Sequence, residues 1–144
     1  MNTPAAQANR PTVLVVEDIP ANQDLMMVVL RKFGYGATVV GDGKEALAQV
    51  QRQAYDIVLM DCKLPGLDGY ETTRRLRQMA VPNAYLPVIG LTARAMFGDR
   101  DKCLAAGMDD YISKPIQLDH LQATLKKWLI QATAISALPC AASM

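Results

Sequence analysis

The sequence predicts a doubly wound α/β domain, in which helices cover both faces of a five-stranded parallel sheet. Two observations predict this fold. Five short runs rich in Val, Ile and Leu alternate with five segments of helical composition, and the connections between them are short. Such alternation is typical of parallel strands joined by right-handed helical crossovers. Ligands of these sheets bind beyond the carboxyl ends of the strands, so functional residues are expected there.

The first half of the chain contains three predicted strands and two helices. The strands lie in TVLVVED, GATVVGDG and DIVLMD, which are short apolar runs of the kind that parallel sheets bury on both faces. A helix is predicted from Asn22 to Phe33, with Gly34 as its stop signal, and a second over KEALAQVQRQ. The apolar stripe of the first helix is Leu25, Met26, Val29, Leu30 and Phe33.

The second half continues the alternation. Asp68 can cap a helix over GYETTRRLRQM, and VIGLTA and DYISKP are the fourth and fifth strands. Between these strands, FGDRDKCLAAG is a short helix that ends at Gly107. The last helix, QLDHLQATLKKWLI, carries the stripe Leu118, Leu121, Leu125, Trp128 and Leu129. The domain is expected to span 12–130, between a flexible N-terminal tail (1–11) and a C-terminal tail (131–144).

Composition excludes several classes of protein. The 144 residues carry a formal net charge of +1, which argues against nucleic-acid binding by charge alone. No run approaches the roughly 18 apolar residues of a membrane span, and no signal-peptide pattern is present. Three widely spaced cysteines, Cys62, Cys103 and Cys140, indicate neither a disulfide framework nor a zinc site, so a reducing cytoplasm is the expected location.

Polar residues stand at the carboxyl ends of four of the five predicted strands. They are Glu17, Asp18, Asp61, Thr92, Ser113 and Lys114. Helix capping or solvated loop ends would explain any one of them, but not their delivery to one edge of the sheet by four strands.

This set of residue types points to metal-assisted phosphoryl transfer. Three clustered carboxylates raise one another's pKa unless a cation neutralises them, and oxygen ligands suit Mg²⁺. A lysine and a threonine beside such a site can stabilise the oxygens of a phosphoryl group. Asp61 stands centrally and is the natural nucleophile, because aspartate carboxylates form covalent phosphoryl intermediates.

Four ordered motifs carry a resemblance to a known family. VLVVED, DIVLMDCKLPGLDG, VIGLTA and DDYISKP together resemble the receiver domains of two-component response regulators, over about residues 12 to 130. The resemblance implies the flavodoxin-like strand order 2-1-3-4-5. It also implies that Asp61 accepts phosphate, that Lys114 contacts this phosphate, and that Thr92 and Tyr111 are the switch residues. The bond between Lys114 and Pro115 is expected to be cis, as in such domains. The implied Mg²⁺ ligands are Glu17, Asp18, Asp61 and the main-chain carbonyl of Lys63.

Four longer segments look most like those of receivers attached to hybrid sensor histidine kinases. They are VEDIPANQ, MDCKLPGLDG, LTARAM and KCLAAGMDDYISKPI. The implied partner is therefore a histidine kinase or a histidine phosphotransfer protein, and the implied chemistry is confined to the domain's own phosphorylation and dephosphorylation. No direct contact with nucleic acid or membrane is expected. Nothing resembles a kinase segment, and His120 is interpreted as an ordinary surface residue. An amphipathic partner helix could dock near the first helix, whose exposed side should carry Asn22 and Arg31.

Two positions depart from the family pattern. Lys63 and Arg94 stand two residues after Asp61 and Thr92, where uncharged side chains are frequent in the family. They are either solvated charges or groups that tune the access of water to the aspartyl phosphate. Cys62 is interpreted as a small buried filler rather than a redox centre, because neighbouring acids raise a thiol pKa.

Three alternatives stay open at this point. A phosphatase with an aspartate nucleophile uses similar residues, but its second acid would stand where this chain has Lys63. A nucleotide- or flavin-binding module can share the fold. However, the sequence contains neither of the phosphate-binding glycine motifs G-x-x-x-x-G-K-[ST] and G-x-G-x-x-G. An unphosphorylated docking receiver is the third alternative.

Overall fold

The computed structural model describes residues 10–79, 85–93 and 98–136, and their backbone forms a five-stranded sheet. Every strand pair is parallel and the order is β2-β1-β3-β4-β5. The doubly wound fold and its strand order are thereby confirmed. The strands are β1 (Thr12–Val16), β2 (Gly36–Val40), β3 (Ile57–Asp61), β4 (Val88–Thr92) and β5 (Asp110–Ser113).

Five helices connect and flank the strands. They are α1 (Pro20–Lys32), α2 (Gly43–Arg52), α3 (Gly69–Arg77), α4 (Asp99–Ala106) and α5 (Leu118–Ser136). Asp68 caps α3 as predicted, since its side chain accepts the Glu71 N–H at 2.8 Å. Gly107 ends α4 with a φ of 104°, a left-handed conformation that glycine adopts without strain. No described helix is long and apolar enough to cross a membrane.

Alternating side chains of the strands divide the core into two layers. Leu14 and Val16 of β1 pack with residues of α2, α3 and α4, whereas Val13 and Val15 pack with residues of α1 and α5. Each layer joins strands to helices that lie far away in sequence. All five residues of β3 are buried, so this strand holds its last residue, Asp61, firmly in place.

Two members of the predicted apolar stripes lie at the surface. Leu25 of α1 is 58% exposed and Leu118 of α5 is 50% exposed. In α1 the side chains that reach the sheet are Met26, Val29 and Leu30, a narrower stripe than the apolar pattern predicts. Helical periodicity identifies apolar positions, but the crossing of the helix over the sheet decides which of them are covered.

The last helix is longer than the sequence predicts. α5 continues to Ser136 and so enters the segment predicted as a C-terminal tail. Its residues 131–136 are QATAIS, and the two alanines in this stretch favour helix.

Candidate functional site

The pairing of β1 with β3 brings three carboxylates together. Glu17 and Asp18 follow β1, and Asp61 ends β3. Ligand atoms of all three lie within 4.8 Å of one another. Glu17 and Asp61 are buried and Asp18 is exposed, so the cluster faces solvent through one member. The predicted convergence at the sheet edge is thus observed in the structure.

Both oxygens of the Asp61 carboxylate are held. Oδ1 accepts the main-chain N–H of Lys63 at 3.0 Å, and Oδ2 accepts a hydrogen bond from Nζ of Lys114 at 2.9 Å. The Asp61 side chain is only 5% exposed and that of Lys114 is 28% exposed, so the ion pair is open to the cleft on the side of the lysine. A carboxylate in this position is oriented before any ligand arrives.

Glu17 is held by its own loop and partly by the same lysine. Its Oε2 accepts the N–H of Ile19 at 3.0 Å, and Nζ of Lys114 lies 3.7 Å from Oε1. Burial raises the pKa of Glu17 above its ordinary value, and the charge of Asp61 raises it further. The hydrogen bond from Ile19 offsets part of this increase. A bound cation would oppose both effects and lower the pKa of Glu17, because it favours the charged form.

Lys114 reaches the carboxylates from the end of β5. Its main-chain N–H donates to the carbonyl of Thr92 at 2.7 Å, and its bond to Pro115 is cis. Burial alone lowers the pKa of Lys114, but the hydrogen bond and the charges of Asp61, Glu17 and Asp18 outweigh it and raise that pKa. The ammonium is therefore firmly charged and available to an incoming anion.

The other residues predicted to belong to the site differ in how deeply they are buried around the Asp61–Lys114 pair. Thr92 is buried at the end of β4 and lines the same cleft as Asp61 and Lys114. Tyr111 is half-buried and packs against the core layer of α2, α3 and α4. The side chain of Lys63 is exposed at the mouth of the cleft. Arg94 lies outside the described residues.

The cleft also contains residues that a search for polar residues at the ends of strands does not identify. Its open volume is about 850 Å³, and Tyr70 and Lys102 belong to its lining. Nζ of Lys102 lies 5.5 Å from the centroid of the Tyr70 ring, a cation–π distance that orients both side chains. Both residues belong to helices, α3 and α4, so the ends of the strands give no signal of their presence.

The fold and this site define a class of signalling domain. Residues 13–126 match the response regulator receiver domain family, and the chain belongs to that family. Among its relatives, the sensor histidine kinase RcsC of Escherichia coli strain K12 is 42% identical over 113 residues, which cover 78% of this chain and 12% of the kinase. The sensor histidine kinase GacS of Pseudomonas protegens is 38% identical over 82% of this chain and 13% of the kinase. The chain thus spans about an eighth of these kinases.

Solved structures agree with the family assignment. The magnesium-bound receiver domain of sensor histidine kinase PA1611 from Pseudomonas aeruginosa PAO1 superimposes with a TM-score of 0.78 at 46% identity. That match covers 83% of this chain and 98% of the other. The Saccharomyces cerevisiae receiver domain of Ssk1, crystallised with the histidine phosphotransfer protein Ypd1, gives a match with a TM-score of 0.79 at 28% identity, covering 85% and 92%.

Proposed function

We propose that the chain is a Mg²⁺-dependent phosphoacceptor switch, in which Asp61 receives a phosphoryl group from a phosphohistidine of a partner protein. One observation carries the proposal. The buried Asp61 carboxylate lies 2.9 Å from a charged lysine and within 4.8 Å of two further carboxylates, at the floor of an open cleft. This arrangement combines a nucleophile, a cation for phosphoryl oxygens and a set of oxygen ligands.

The residues present fit a magnesium ion. Three carboxylates and the carbonyl of Lys63 are the proposed ligands, and hard oxygen donors of this kind are what Mg²⁺ requires. Burial, and next the charge of Asp61, raise the pKa of Glu17 although Lys114 is nearby, and a bound cation would favour the charged form of this carboxylate. When bound, the ion supplies positive charge for the oxygens of the transferred group.

The protein's own residues then perform the transfer. An oxygen of Asp61 attacks the phosphorus, a P–O bond forms, and the P–N bond to the partner's imidazole breaks. The ammonium of Lys114 neutralises charge on the phosphoryl oxygens, and the hydroxyl of Thr92 donates a hydrogen bond to one of them. Because Asp61 and Lys114 are already in contact, little reorganisation of these two residues is needed during the reaction.

The added phosphate is proposed to change the shape of a surface away from the cleft. Its roughly 1.5 to 2 negative charges attract Lys114 and Thr92. Movement of Thr92 toward the phosphate leaves space that the half-buried Tyr111 can fill, which changes the surface formed by α4, β5 and α5. Such a two-state equilibrium is shifted by small differences in free energy.

Intact-mass measurement tests the proposal. The protein is incubated with Mg²⁺ and acetyl phosphate, and one added phosphoryl group is expected, acid-stable, base-labile and mapped to the peptide that contains Asp61. The same incubation with EDTA is the control and should give no adduct. Failure to form an adduct would support the docking receiver, and steady turnover of phosphate esters would support a phosphatase.

Magnesium is expected to stabilise the folded protein. The ion binds a preformed cluster that the unfolded chain lacks, so a tenfold excess over the Kd should raise the free energy of unfolding by about 1.4 kcal/mol. Urea denaturation with and without MgCl₂ measures this gain. Asp18→Asn, which removes the exposed ligand, should reduce it, whereas Asp24→Asn on the surface of α1 should not. An equal gain in both variants contradicts the proposed ligand set.

An apolar surface beside the cleft is the proposed docking site of the partner. Ile19 lines the cleft and is 49% exposed, and Leu25 and Val28 of α1 are 58% and 54% exposed. Leu25 and Val28 stand one turn apart, so their side chains are neighbours that a helix of the partner could cover. Of the two polar residues expected here, Arg31 is exposed and Asn22 is half-buried.

A charge placed on this surface is expected to weaken phosphotransfer between proteins. Leu25→Glu should slow transfer from a phosphohistidine donor by about tenfold or more, because burial of an unpaired carboxylate opposes docking. Phosphorylation by acetyl phosphate, which needs no docking, should stay unchanged. Leu104→Glu on α4, at the other face of the sheet, is the matched control. Equal loss with both donors would contradict a docking role.

Lys63 is proposed to limit the access of water to the aspartyl phosphate. Its exposed side chain lines the mouth of the cleft, so Lys63→Ala should shorten the lifetime of the adduct by roughly two- to fivefold, the scale of an exposed contact. Dephosphorylation after removal of the donor measures the lifetime. Lys63→Met keeps the length of the side chain and should retain most of the lifetime. Identical rates in all three proteins would rule out the shielding role.

The proposed location is the cytoplasm. Neither Cys62 nor Cys103 is in a disulfide, and their sulfur atoms lie 3.9 Å apart. Thiols so close together stay reduced in a reducing compartment, whereas an oxidising one favours disulfides.

A further inference from the structure

Two buried thiols lie in contact next to the acceptor aspartate. The Sγ atoms of Cys62 and Cys103 are 3.9 Å apart, and neither cysteine is in a disulfide. Cys62 directly follows Asp61, whereas Cys103 lies in α4, 41 positions further along the chain. The contact therefore connects the acceptor strand with a helix of the proposed output surface.

A glycine of the central sheet makes room for these sulfur atoms. A Cβ added at Gly90 of β4 would lie 3.3 Å from the Sγ of each cysteine and 2.6 Å from Sδ of Met108. Gly90 itself has no side chain that would occupy the space beside the two thiols. A disulfide of about 2.05 Å requires their sulfurs to approach by about 1.9 Å, which side-chain rotations and small shifts of α4 can supply.

The two cysteines differ in their access to solvent. Cys62 lines the open cleft and is 6% exposed, whereas Cys103 is fully buried. A small oxidant therefore meets Cys62 first, and Cys103 is placed to react with the product. The hydrogen bond with Cys103 and burial raise the pKa of Cys62, so we expect slower oxidation than in cysteines with an activated thiolate.

We propose that Cys62 and Cys103 form a reversible disulfide that slows phosphorylation of Asp61. With hydrogen peroxide as oxidant, the sulfur of Cys62 takes one oxygen, the O–O bond breaks, and a sulfenic acid and water result. The sulfur of Cys103 then displaces the hydroxyl group as a second water, and the S–S bond forms. Two thiols lose two hydrogens and two electrons, peroxide is reduced to water, and a dithiol reductant reverses the bond.

The effect on phosphorylation follows from the hydrogen bonds around Cys62, and it rests on the proposed function. The N–H of Cys62 donates to the carbonyl of Leu91 at 2.9 Å, and its carbonyl accepts the N–H of Gly69 at 3.2 Å. A bond to α4 pulls on this peptide segment and displaces the adjoining Asp61 from Lys114. Misplacement of a reacting group by about 1 Å can slow a reaction on the order of 100-fold.

The experiment uses the full chain with Cys140→Ser, which leaves only the proposed pair. After treatment with hydrogen peroxide and alkylation of free thiols, the intact mass should show loss of the two thiol hydrogens and no alkylation. Peptide mapping should find Cys62 joined to Cys103 within one chain. The purified disulfide form should react with acetyl phosphate at least about tenfold more slowly than the reduced form, and dithiothreitol should restore the rate.

Three results would overturn the inference. Addition of oxygen without a crosslink, or a crosslink between chains, would show that the pair does not close. An unchanged phosphorylation rate in the disulfide form would remove its regulatory role. Cys103→Ala should make the rate insensitive to peroxide, and continued sensitivity would assign the effect to another residue.

If the reduced protein took no phosphate, the proposed function would fail while the mass and peptide map still reported on the disulfide.

Discussion

Asp61→Asn is expected to abolish the phosphate adduct while the protein stays folded. Asparagine has nearly the same shape, and its carbonyl oxygen can still accept the Lys63 N–H that Asp61 accepts at 3.0 Å. It has no anionic oxygen to attack phosphorus, and it lacks the charge that holds Lys114 at 2.9 Å. Loss of a nucleophile removes the covalent step itself, so intact mass after incubation with acetyl phosphate and Mg²⁺ should show no adduct.

The control for this substitution is the same chemical change elsewhere. Asp24→Asn in α1 alters an exposed carboxylate and should leave the extent of phosphorylation unchanged. Circular dichroism and urea denaturation would establish that both variants fold. An adduct of undiminished yield in Asp61→Asn would mean that another group, such as a neighbouring carboxylate, is the acceptor, and the proposed function would then be wrong.

Much of the fold was predictable because the central strands β1, β3 and β4 are buried on both faces. The run from Ile57 to Met60 is a continuous apolar segment, and all four of its residues are buried. The edge where Glu17, Asp61 and Lys114 meet was also predictable, since parallel strands present their carboxyl ends on one side. Local pattern and global topology agree here, which is characteristic of sequences that specify one fold.

Contacts between side chains of different helices and strands could not be predicted from the hydrophobic pattern of the sequence. The interpretation of Cys62 as a small buried filler agrees with its burial, but its contact with Cys103, 41 positions further along the chain, cannot be predicted from its chain neighbours. Leu25 belongs to the apolar stripe of α1 and yet lies at the surface, because periodicity cannot tell how far a helix rotates over a sheet. In each case the missing information is the packing of a helix against strands, which depends on the whole structure.

Gly69→Ala is expected to destabilise the protein and to disturb the acceptor residue at the same time. Gly69 is the first residue of α3, and a Cβ there would lie 2.2 Å from the carbonyl oxygen of Asp61 and 2.8 Å from Cα of Cys62. These are backbone atoms of a buried strand end, so no side-chain rotation relieves the clash. Helix α3 must move away or Asp61 must be displaced.

The size of the expected loss in the free energy of unfolding follows from two opposing effects. Alanine favours helix over glycine by at most about 1 kcal/mol, and less at a helix end. Overpacking in a well-packed region costs about 1–3 kcal/mol, occasionally more, and contact with backbone places this clash at the upper end. The net loss in the free energy of unfolding should be about 2 kcal/mol or more, which urea denaturation would show as a midpoint lowered by about 1 M.

Gly36→Ala separates this clash from the general effect of a new methyl group. A Cβ at Gly36 in β2 would lie 3.7 Å from Oγ1 of Thr12, an ordinary contact, so stability should change by less than about 1 kcal/mol. The position is also remote from the cleft, and phosphorylation by acetyl phosphate should proceed at the normal rate. In Gly69→Ala the rate of phosphorylation should fall even under conditions where the protein is fully folded, because the new methyl group displaces the backbone of Asp61. A stable Gly69→Ala protein with a normal rate would show that close contact between α3 and the acceptor strand is not needed to position Asp61.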